Sequence, residues 1–135
     1  MFLKVFLLMV LCHIIDDFVF QPVCLSNLKQ KNYWERLCKD ANVDIEKYKN
    51  DYIAALIIHA FSWSIMIMLP VMFLVPTISC IALIGCIIIN GLVHAYVDDL
   101  KANKFELNLV EDQLIHFIQI FITFIIIILT LVLNG

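Results

Sequence analysis

Charged residues are scarce in this sequence. Asp, Glu, Lys and Arg together make up 16% of the 135 residues, whereas 63% of the residues are hydrophobic. A soluble globule of this size needs more polar surface than these residues supply. The composition therefore excludes an ordinary soluble domain and indicates an integral membrane protein.

Basic charge and paired cysteines are lacking as well. The formal net charge is -3, so we expect no nucleic-acid partner. The five cysteines are an odd number and show no C-x2-C spacing, which predicts free thiols. No small-x-small cleavage site follows the first apolar stretch, so we expect this stretch to be a retained helix rather than a signal peptide.

Long apolar runs are what the sequence has in abundance. Four runs are predicted as transmembrane helices, at about residues 2–25, 53–75, 77–100 and 112–133. Each is close to the roughly 20 residues that a helix needs to cross a hydrocarbon core of about 30 Å. The predicted fold is therefore all-α: a single membrane domain over residues 1–135, built as a bundle of four transmembrane helices, with a loop at about 26–52.

The distribution of basic residues predicts the orientation. Six of the nine Lys and Arg residues lie in the 26–52 loop, and Lys101 and Lys104 lie between the last two apolar runs. The positive-inside rule places both loops in the cytoplasm and both termini outside. We therefore expect a multi-pass protein of the bacterial inner membrane, with the lipid bilayer as its main partner. The short loops are compatible with a homo-oligomer, although no GxxxG motif specifies one.

Ionisable residues recur inside the apolar runs with one spacing. A His and an Asp four residues apart occur three times, and the one remaining histidine also lies in an apolar run. These seven residues are His13, Asp17, His59, His94, Asp98, Asp112 and His116. Residues four apart share one helix face, and in the predicted topology all seven lie in the cytoplasmic half of the membrane. We therefore expect one shared site.

Metal binding explains why such costly residues are present. A charged side chain in the middle of the membrane costs about 2.5 to 3.5 kcal/mol, which a divalent cation would offset. His and Asp one helical turn apart can reach the same ion. We predict that all seven residues bind one or two divalent ions, with zinc, manganese and magnesium as candidates. The alternative is that the pairs only join helices through hydrogen bonds, each worth about 0.6 to 2 kcal/mol in lipid.

Further polar residues flank the predicted ligands. The predicted substrate contacts are Gln21, Lys101 and Gln113. For Lys101, anchoring at the membrane interface is an equal alternative. Three acidic residues adjoin a predicted ligand but point about 100° away around the helix, so we expect them to face the interface. These are Asp16, Asp99 and Glu111.

The order of these motifs resembles a known but uncharacterised family. The motifs are His13-x3-Asp17-Phe18-x2-Gln21, His59-Ala60, His94-x3-Asp98-x2-Lys101 and Asp112-Gln113-x2-His116. Together they resemble a domain-of-unknown-function family of short bacterial and phage-encoded polytopic membrane proteins, over nearly the whole chain. The chain departs from that pattern at Asp99, where the family would carry an aromatic residue. The resemblance implies the membrane topology and the motif residues, but no activity.

The function expected from these residues is metal-dependent hydrolysis near the cytoplasmic face. A bound divalent ion lowers the pKa of its water towards neutrality, and Asp112 is the predicted general base or bridging carboxylate. The depth of the site suggests a membrane-associated substrate, such as a lipid headgroup or an isoprenoid phosphate. Two other classes stay open: an ion or proton transport protein that uses the His and Asp pairs as a relay, and a small structural or holin-like phage membrane protein.

Overall fold

The computed structural model describes residues 2–134 of the chain. Every regular element in this range is a helix or a helical turn. The α-helices are α1 (Phe2–Ile15), α2 (Val23–Leu28), α3 (Lys31–Asp40), α4 (Asp51–Leu74), α5 (Cys80–Ala102) and α6 (Leu109–Asn134). A π-helical turn, Asp16–Phe20, follows α1, and a 3-10 turn, Ile45–Lys47, precedes α4. The described residues contain no strand, so the all-α prediction is confirmed.

Three helical segments are long and apolar enough to cross a membrane, as judged by length and composition. They are Ile45–Leu74, which includes the 3-10 turn before α4, Cys80–Ala102 and Leu109–Leu133. The helices α4, α5 and α6 correspond to the second, third and fourth predicted spans, with ends displaced by up to three residues. Their outer faces carry exposed aliphatic side chains, such as Ile81 and Val132, that suit contact with lipid.

The first predicted span differs from the structure. Instead of one helix over residues 2–25, α1 passes into the π turn, and the helix ends at Gln21, whose ψ is 97°. Pro22 causes the break, because it has no N–H to donate and disfavours the helical conformation of the residue before it. This N-terminal segment carries Lys4, Asp16 and Asp17 and is not among the three apolar segments, so four spans are not established.

The four long helical segments pack side by side. α4 contacts α1 and α5, and α6 contacts α5 and α1, so each helix has two neighbours. The end of the bundle that holds the start of α1 and the α4–α5 connection is filled by an apolar core. Its buried residues are Val5, Met9, Trp63, Ile67, Met68, Val71, Val75, Ile120 and Ile127. We call the opposite end, which carries the π turn and residues 103–108, the polar end.

The short helices α2 and α3 are tied to the polar end by Asn103. The Asn103 side chain accepts a hydrogen bond from the Lys31 N–H at 2.7 Å and donates one to the Lys29 carbonyl at 3.1 Å. Trp34 Nε1 donates to the Leu28 carbonyl at 2.8 Å, which closes the bend between the two helices. This arrangement holds Lys29 over the end of α5.

The start of α6 is defined by a reciprocal cap. The Asn108 side chain accepts hydrogen bonds from the N–H groups of Val110 and Glu111, and Glu111 Oε2 accepts one from the Asn108 N–H. Such a capping box satisfies N–H groups that have no partner within the helix. It places Asp112 in the first turn of α6, at the polar end.

Candidate functional site

The four histidines meet in the interior of the bundle, each from a different helical segment. All are at most 2% exposed. His94 Nε2 lies 3.2 Å from His59 Nε2, and the His94 ring stacks on the His116 ring with centroids 4.1 Å apart. The His13 ring lies 5.9 Å from the His116 ring. The structure therefore brings together the four histidines that the sequence predicts at one depth.

Asp98 lies at the centre of this histidine cluster. Its Oδ2 is 3.6 Å from His59 Nε2 and 3.7 Å from His94 Nε2, and its Oδ1 is 3.6 Å from His116 Nε2. Lys29 Nζ also donates to Asp98 Oδ2, at 2.6 Å. Lys29 thus gives Asp98 Oδ2 a charge-assisted hydrogen bond, and the three imidazoles surround the carboxylate at longer distances.

Two more carboxylates approach the histidines. Asp17 lies in the π turn after α1, and Asp112 lies in the first turn of α6. Asp17 Oδ1 lies 3.5 Å from His59 Nε2, and Asp112 Oδ1 lies 3.4 Å from His116 Nε2. The Gln113 side-chain amide donates to Asp17 Oδ2 at 3.3 Å and to Asp112 Oδ2 at 3.1 Å. This amide therefore joins the two carboxylates across the helices.

Two lysines neutralise two of the carboxylates. Lys29 pairs with Asp98, and Lys101 Nζ donates to Asp112 Oδ2 at 2.6 Å. Lys29 is only 7% exposed, although sequence analysis assigned it to the basic loop. Its position next to other loop lysines contains no signal of this role, because the contact depends on how α2 packs against α4 at the polar end.

Asp16 is buried in the cluster, so the prediction that it faces the interface is wrong. It is 3% exposed, its Oδ1 accepts a hydrogen bond from the Ser62 hydroxyl at 3.3 Å, and its Oδ2 lies 3.9 Å from His59 Nδ1. In the π turn, consecutive side chains lie closer together around the axis than in an α-helix. Asp16 and Asp17 can therefore both face inwards. Asp99 and Glu111 lie outside the cluster, where they bond Asn103 and cap α6.

Trp63 is a member of the site that sequence analysis missed. Its Nε1 donates to His13 Nδ1 at 2.8 Å, and its ring stacks on His94 with centroids 4.2 Å apart. An indole nitrogen can only donate, so His13 Nδ1 is the acceptor and a neutral His13 carries its proton on Nε2. The available signal was spacing, because Trp63 follows His59 by four residues on the same helix face.

Several polar atoms of the cluster have no hydrogen-bond partner among the described residues. They are His13 Nε2, Asp17 Oδ1, His94 Nδ1, Asp112 Oδ1 and both ring nitrogens of His116. Buried polar groups in folded proteins are nearly always satisfied, so this concentration is unusual. Nitrogen and oxygen atoms in this state are the donors that a metal ion uses.

Two groups of side chains have the geometry to hold a metal ion. Within residues 2–134, the groups are Asp17, His59 and His94, and His94, Asp98 and His116. In each, the ligand atoms lie within 4.8 Å of one another. Metal–ligand distances of about 2.0 to 2.2 Å give a tetrahedron edge of about 3.3 to 3.6 Å. Two separations in each group are close to that value. They are 3.2 Å for His59–His94 and 3.5 Å for His59–Asp17 in the first group, and 3.7 Å for His94–Asp98 and 3.6 Å for His116–Asp98 in the second. Five of the seven predicted ligands fall in these groups, whereas His13 and Asp112 fall in neither.

A cavity of about 490 Å³ opens above the cluster at the polar end. Its wall includes the carboxylates of Asp17, Asp98 and Asp112 and the ammonium groups of Lys29 and Lys101. The three predicted substrate contacts, Gln21, Lys101 and Gln113, also line it. The three aspartates therefore lie between the cavity and the histidines, which are not among its lining residues.

A second polar group lies on the other side of the histidines. Gln119 Nε2 donates to Asn90 Oδ1 at 2.9 Å, and Thr123 Oγ1 donates to the same oxygen at 3.0 Å. Asn90 and Gln119 were not predicted, although Asn90 precedes His94 by four residues and therefore shares its helix face.

Comparison of the chain with protein-family models, with curated proteins and with solved structures finds no match. The resemblance to an uncharacterised membrane-protein family therefore stays a prediction.

Proposed function

We propose that this protein is a metal-dependent hydrolase of the bacterial inner membrane that acts near the cytoplasmic face on a membrane-associated substrate. The observation that carries the proposal is the convergence of four histidines and four aspartates beneath one cavity. Ionisable groups are costly within a membrane and are usually retained there for function.

The charge of the cluster supports one divalent ion. Its carboxylates, whose side chains are at most 8% exposed, are Asp16, Asp17, Asp98 and Asp112. Among residues 2–134, the ammonium groups that contact them are those of Lys29 and Lys101. With ionised carboxylates and neutral imidazoles, four negative charges against two positive charges leave two uncompensated. One divalent cation balances that remainder.

The geometry favours one metal centre over two independent sites, because both ligand groups include His94. We assign His59 Nε2, His94 Nε2 and Asp17 Oδ1 as ligands, with Asp98 and His116 completing the surroundings. Mixed imidazole and carboxylate ligands suit zinc or manganese, whereas magnesium prefers oxygen ligands and water.

We assign His13 a positioning role instead of ligation. Metal binding through Nε2 would require a proton on Nδ1, and that proton would meet the indole N–H of Trp63. Metal binding through Nδ1 would require breaking the same hydrogen bond. His13 therefore positions α1 against α4 through its hydrogen bond with Trp63.

Asp112 is the proposed general base. Lys101 holds its Oδ2 at 2.6 Å, while its Oδ1 has no hydrogen-bond donor among the described residues. This leaves the buried Oδ1 of a residue that lines the cavity to accept the proton of the attacking water. A divalent ion, when bound, supplies Lewis acidity and a more acidic water. His116, 3.4 Å from Asp112 and 3.6 Å from Asp98, can take the proton onward.

The N-terminal segment is the proposed fourth membrane crossing. The 14 residues of α1 and the five of the π turn extend about 28 Å at helical rise, close to the thickness of the hydrocarbon core. The basic residues then place the polar end in the cytoplasm and both termini outside.

Transport is the second candidate function, and the interior of the bundle argues against it. Within residues 2–134, the polar side chains buried past the histidines are the Asn90, Gln119 and Thr123 group and Ser64, whose hydroxyl donates to the Ile87 carbonyl. Beyond them the bundle is filled by the apolar core, with Ile67, Met68 and Val71 fully buried. A polar track that ends inside the bundle suits an active site better than a path for ions.

The test is the metal content of purified protein, measured by plasma mass spectrometry. We expect about one divalent ion per chain in the wild type, its loss in His94→Gln, and its retention in His13→Gln. Absence of metal from the wild type would overturn the proposal and favour proton relay. Asp112→Asn should keep the metal but lower the hydrolysis of a lipid phosphate by about 10² to 10⁴-fold.

A further inference from the structure

The cavity at the polar end joins two surfaces of opposite character. Its inner wall carries the Lys29–Asp98 and Lys101–Asp112 pairs. Its outer wall is apolar, and the exposed residues there are Phe18, Val23, Phe105 and Leu109. A ligand that fills about 490 Å³, a usual volume for a small-molecule site, would contact both surfaces. Such a ligand has a charged head and a hydrocarbon tail.

Phe105 provides an independent indication that the apolar rim is used. Its φ is 57°, in the left-handed region that bulky residues rarely adopt, and its ring is 72% exposed. Asn42 is the other non-glycine residue with positive φ in the described chain, and asparagine tolerates that conformation. The exposed Phe105 ring gains little burial to offset the strain. Strain of this kind concentrates at ligand-binding sites.

The two lysines indicate the charge of the head. Each lies 2.6 Å from a carboxylate that also approaches a proposed metal-binding histidine. An ammonium group has three N–H donors, so each lysine can keep its bond to the carboxylate and still donate to an anion in the cavity. Two such groups match a phosphomonoester dianion.

We propose that the cavity binds a membrane lipid with a phosphomonoester head. Lys29 and Lys101 contact the phosphate, and Phe18 and Phe105 contact the start of the hydrocarbon chain. The inference rests on the proposed function, because the phosphate head is the group that the proposed metal site would hydrolyse.

Native mass spectrometry tests this directly, since one spectrum reports bound metal and bound lipid. The protein is extracted from vesicles of phosphatidic acid and phosphatidylcholine. We expect the wild type to retain metal and phosphatidic acid together. Lys29→Gln and Lys101→Gln should keep the metal but bind phosphatidic acid about tenfold more weakly or worse. The matched controls Lys31→Gln and Lys104→Gln, which lie outside the cavity wall, should bind as the wild type does.

A second variant separates lipid binding from folding. Phe105→Gly relieves the backbone strain, so its thermal stability should not fall. Its affinity for phosphatidic acid should fall, while its affinity for inorganic phosphate, measured without lipid, should be unchanged. Asn42→Gly is the control for the backbone change.

The outcomes distinguish the inference from the proposed function. Metal without phosphatidic acid in the wild type would overturn the lipid site and leave the hydrolase proposal intact. Displacement of phosphatidic acid by inorganic phosphate at equal concentration would overturn the lipid source in favour of a soluble phosphate. Absence of metal from the wild type would overturn both.

Discussion

Asp16 and Asp17 are adjacent in the chain, yet both side chains face the histidine cluster. An ordinary α-helix would separate them by about 100°, which is why sequence analysis placed Asp16 at the interface. The π turn brings them to one side, and Asp16 then faces the Nδ1 edge of His59 while Asp17 faces its Nε2 edge. A carboxylate behind a ligating histidine orients its ring and raises its basicity.

We therefore expect Asp16→Asn to weaken metal binding by about 10 to 100-fold without abolishing it. The affinity is measured by competition with a chelator of known strength. Asp99→Asn is the matched control, because Asp99 adjoins Asp98 as Asp16 adjoins Asp17, but bonds Asn103 and Lys104 outside the cluster. Equal affinities in the two variants would show that Asp16 does not orient His59.

At the scale of elements, the contact between α4 and α5 determines how closely His59 and His94 approach. Gly91 lies one turn before His94, and a Cβ atom there would stand 3.1 Å from two carbons of the Phe61 ring. At Gly85, which is nearer the start of α5, a Cβ atom would meet no atom within 4 Å. A side chain at residue 91 would therefore require the Phe61 ring to shift by a few tenths of an ångström.

These two glycines permit a paired prediction. Gly85→Ala should stabilise the protein by about 0.8 to 1 kcal/mol, because alanine is the better helix former. Gly91→Ala should gain clearly less, because the Phe61 ring must shift, and it should also weaken metal binding. Thermal unfolding in detergent with and without metal measures both effects. An equal gain at the two positions would show that the Phe61 ring can shift without lowering the stability of the protein.

At the scale of the whole molecule, ionisable groups and apolar groups occupy opposite ends of the bundle. The apolar core fills the end with the α4–α5 connection, and the cavity opens at the polar end. This separation gives the membrane orientation a functional meaning, because it decides which leaflet the cavity can reach. The five cysteines are free thiols, as predicted, and two exposed ones lie on opposite sides. Cys24 follows the π turn at the polar end, whereas Cys80 begins α5 at the other.

Thiol labelling should therefore reveal the orientation. In intact bacterial cells, a membrane-impermeant maleimide should label a variant that keeps only Cys80. A variant that keeps only Cys24 should react only after the membrane is opened. The reverse pattern would place the cavity at the outer leaflet and contradict the positive-inside assignment.

The sequence alone determined the all-α class, three of the long helices and the His–Asp pairs four residues apart. Apolar runs long enough to span a membrane can be read directly from the residue order, and α4, α5 and α6 lie where those runs predicted them. The four-residue spacing between His94 and Asp98 is a property of one helix, so their 3.7 Å contact follows from local geometry.

Only the tertiary structure decided which of these pairs meet and what else joins them. After the break at Pro22, α2 packs against α4, and Lys29 at its end reaches Asp98. The packing of α4 against α1 brings Trp63 to His13. Such contacts join residues 50 to 69 positions apart. They depend on how helices rotate and approach one another, which is decided by side-chain packing across the whole bundle and not by any single run of sequence.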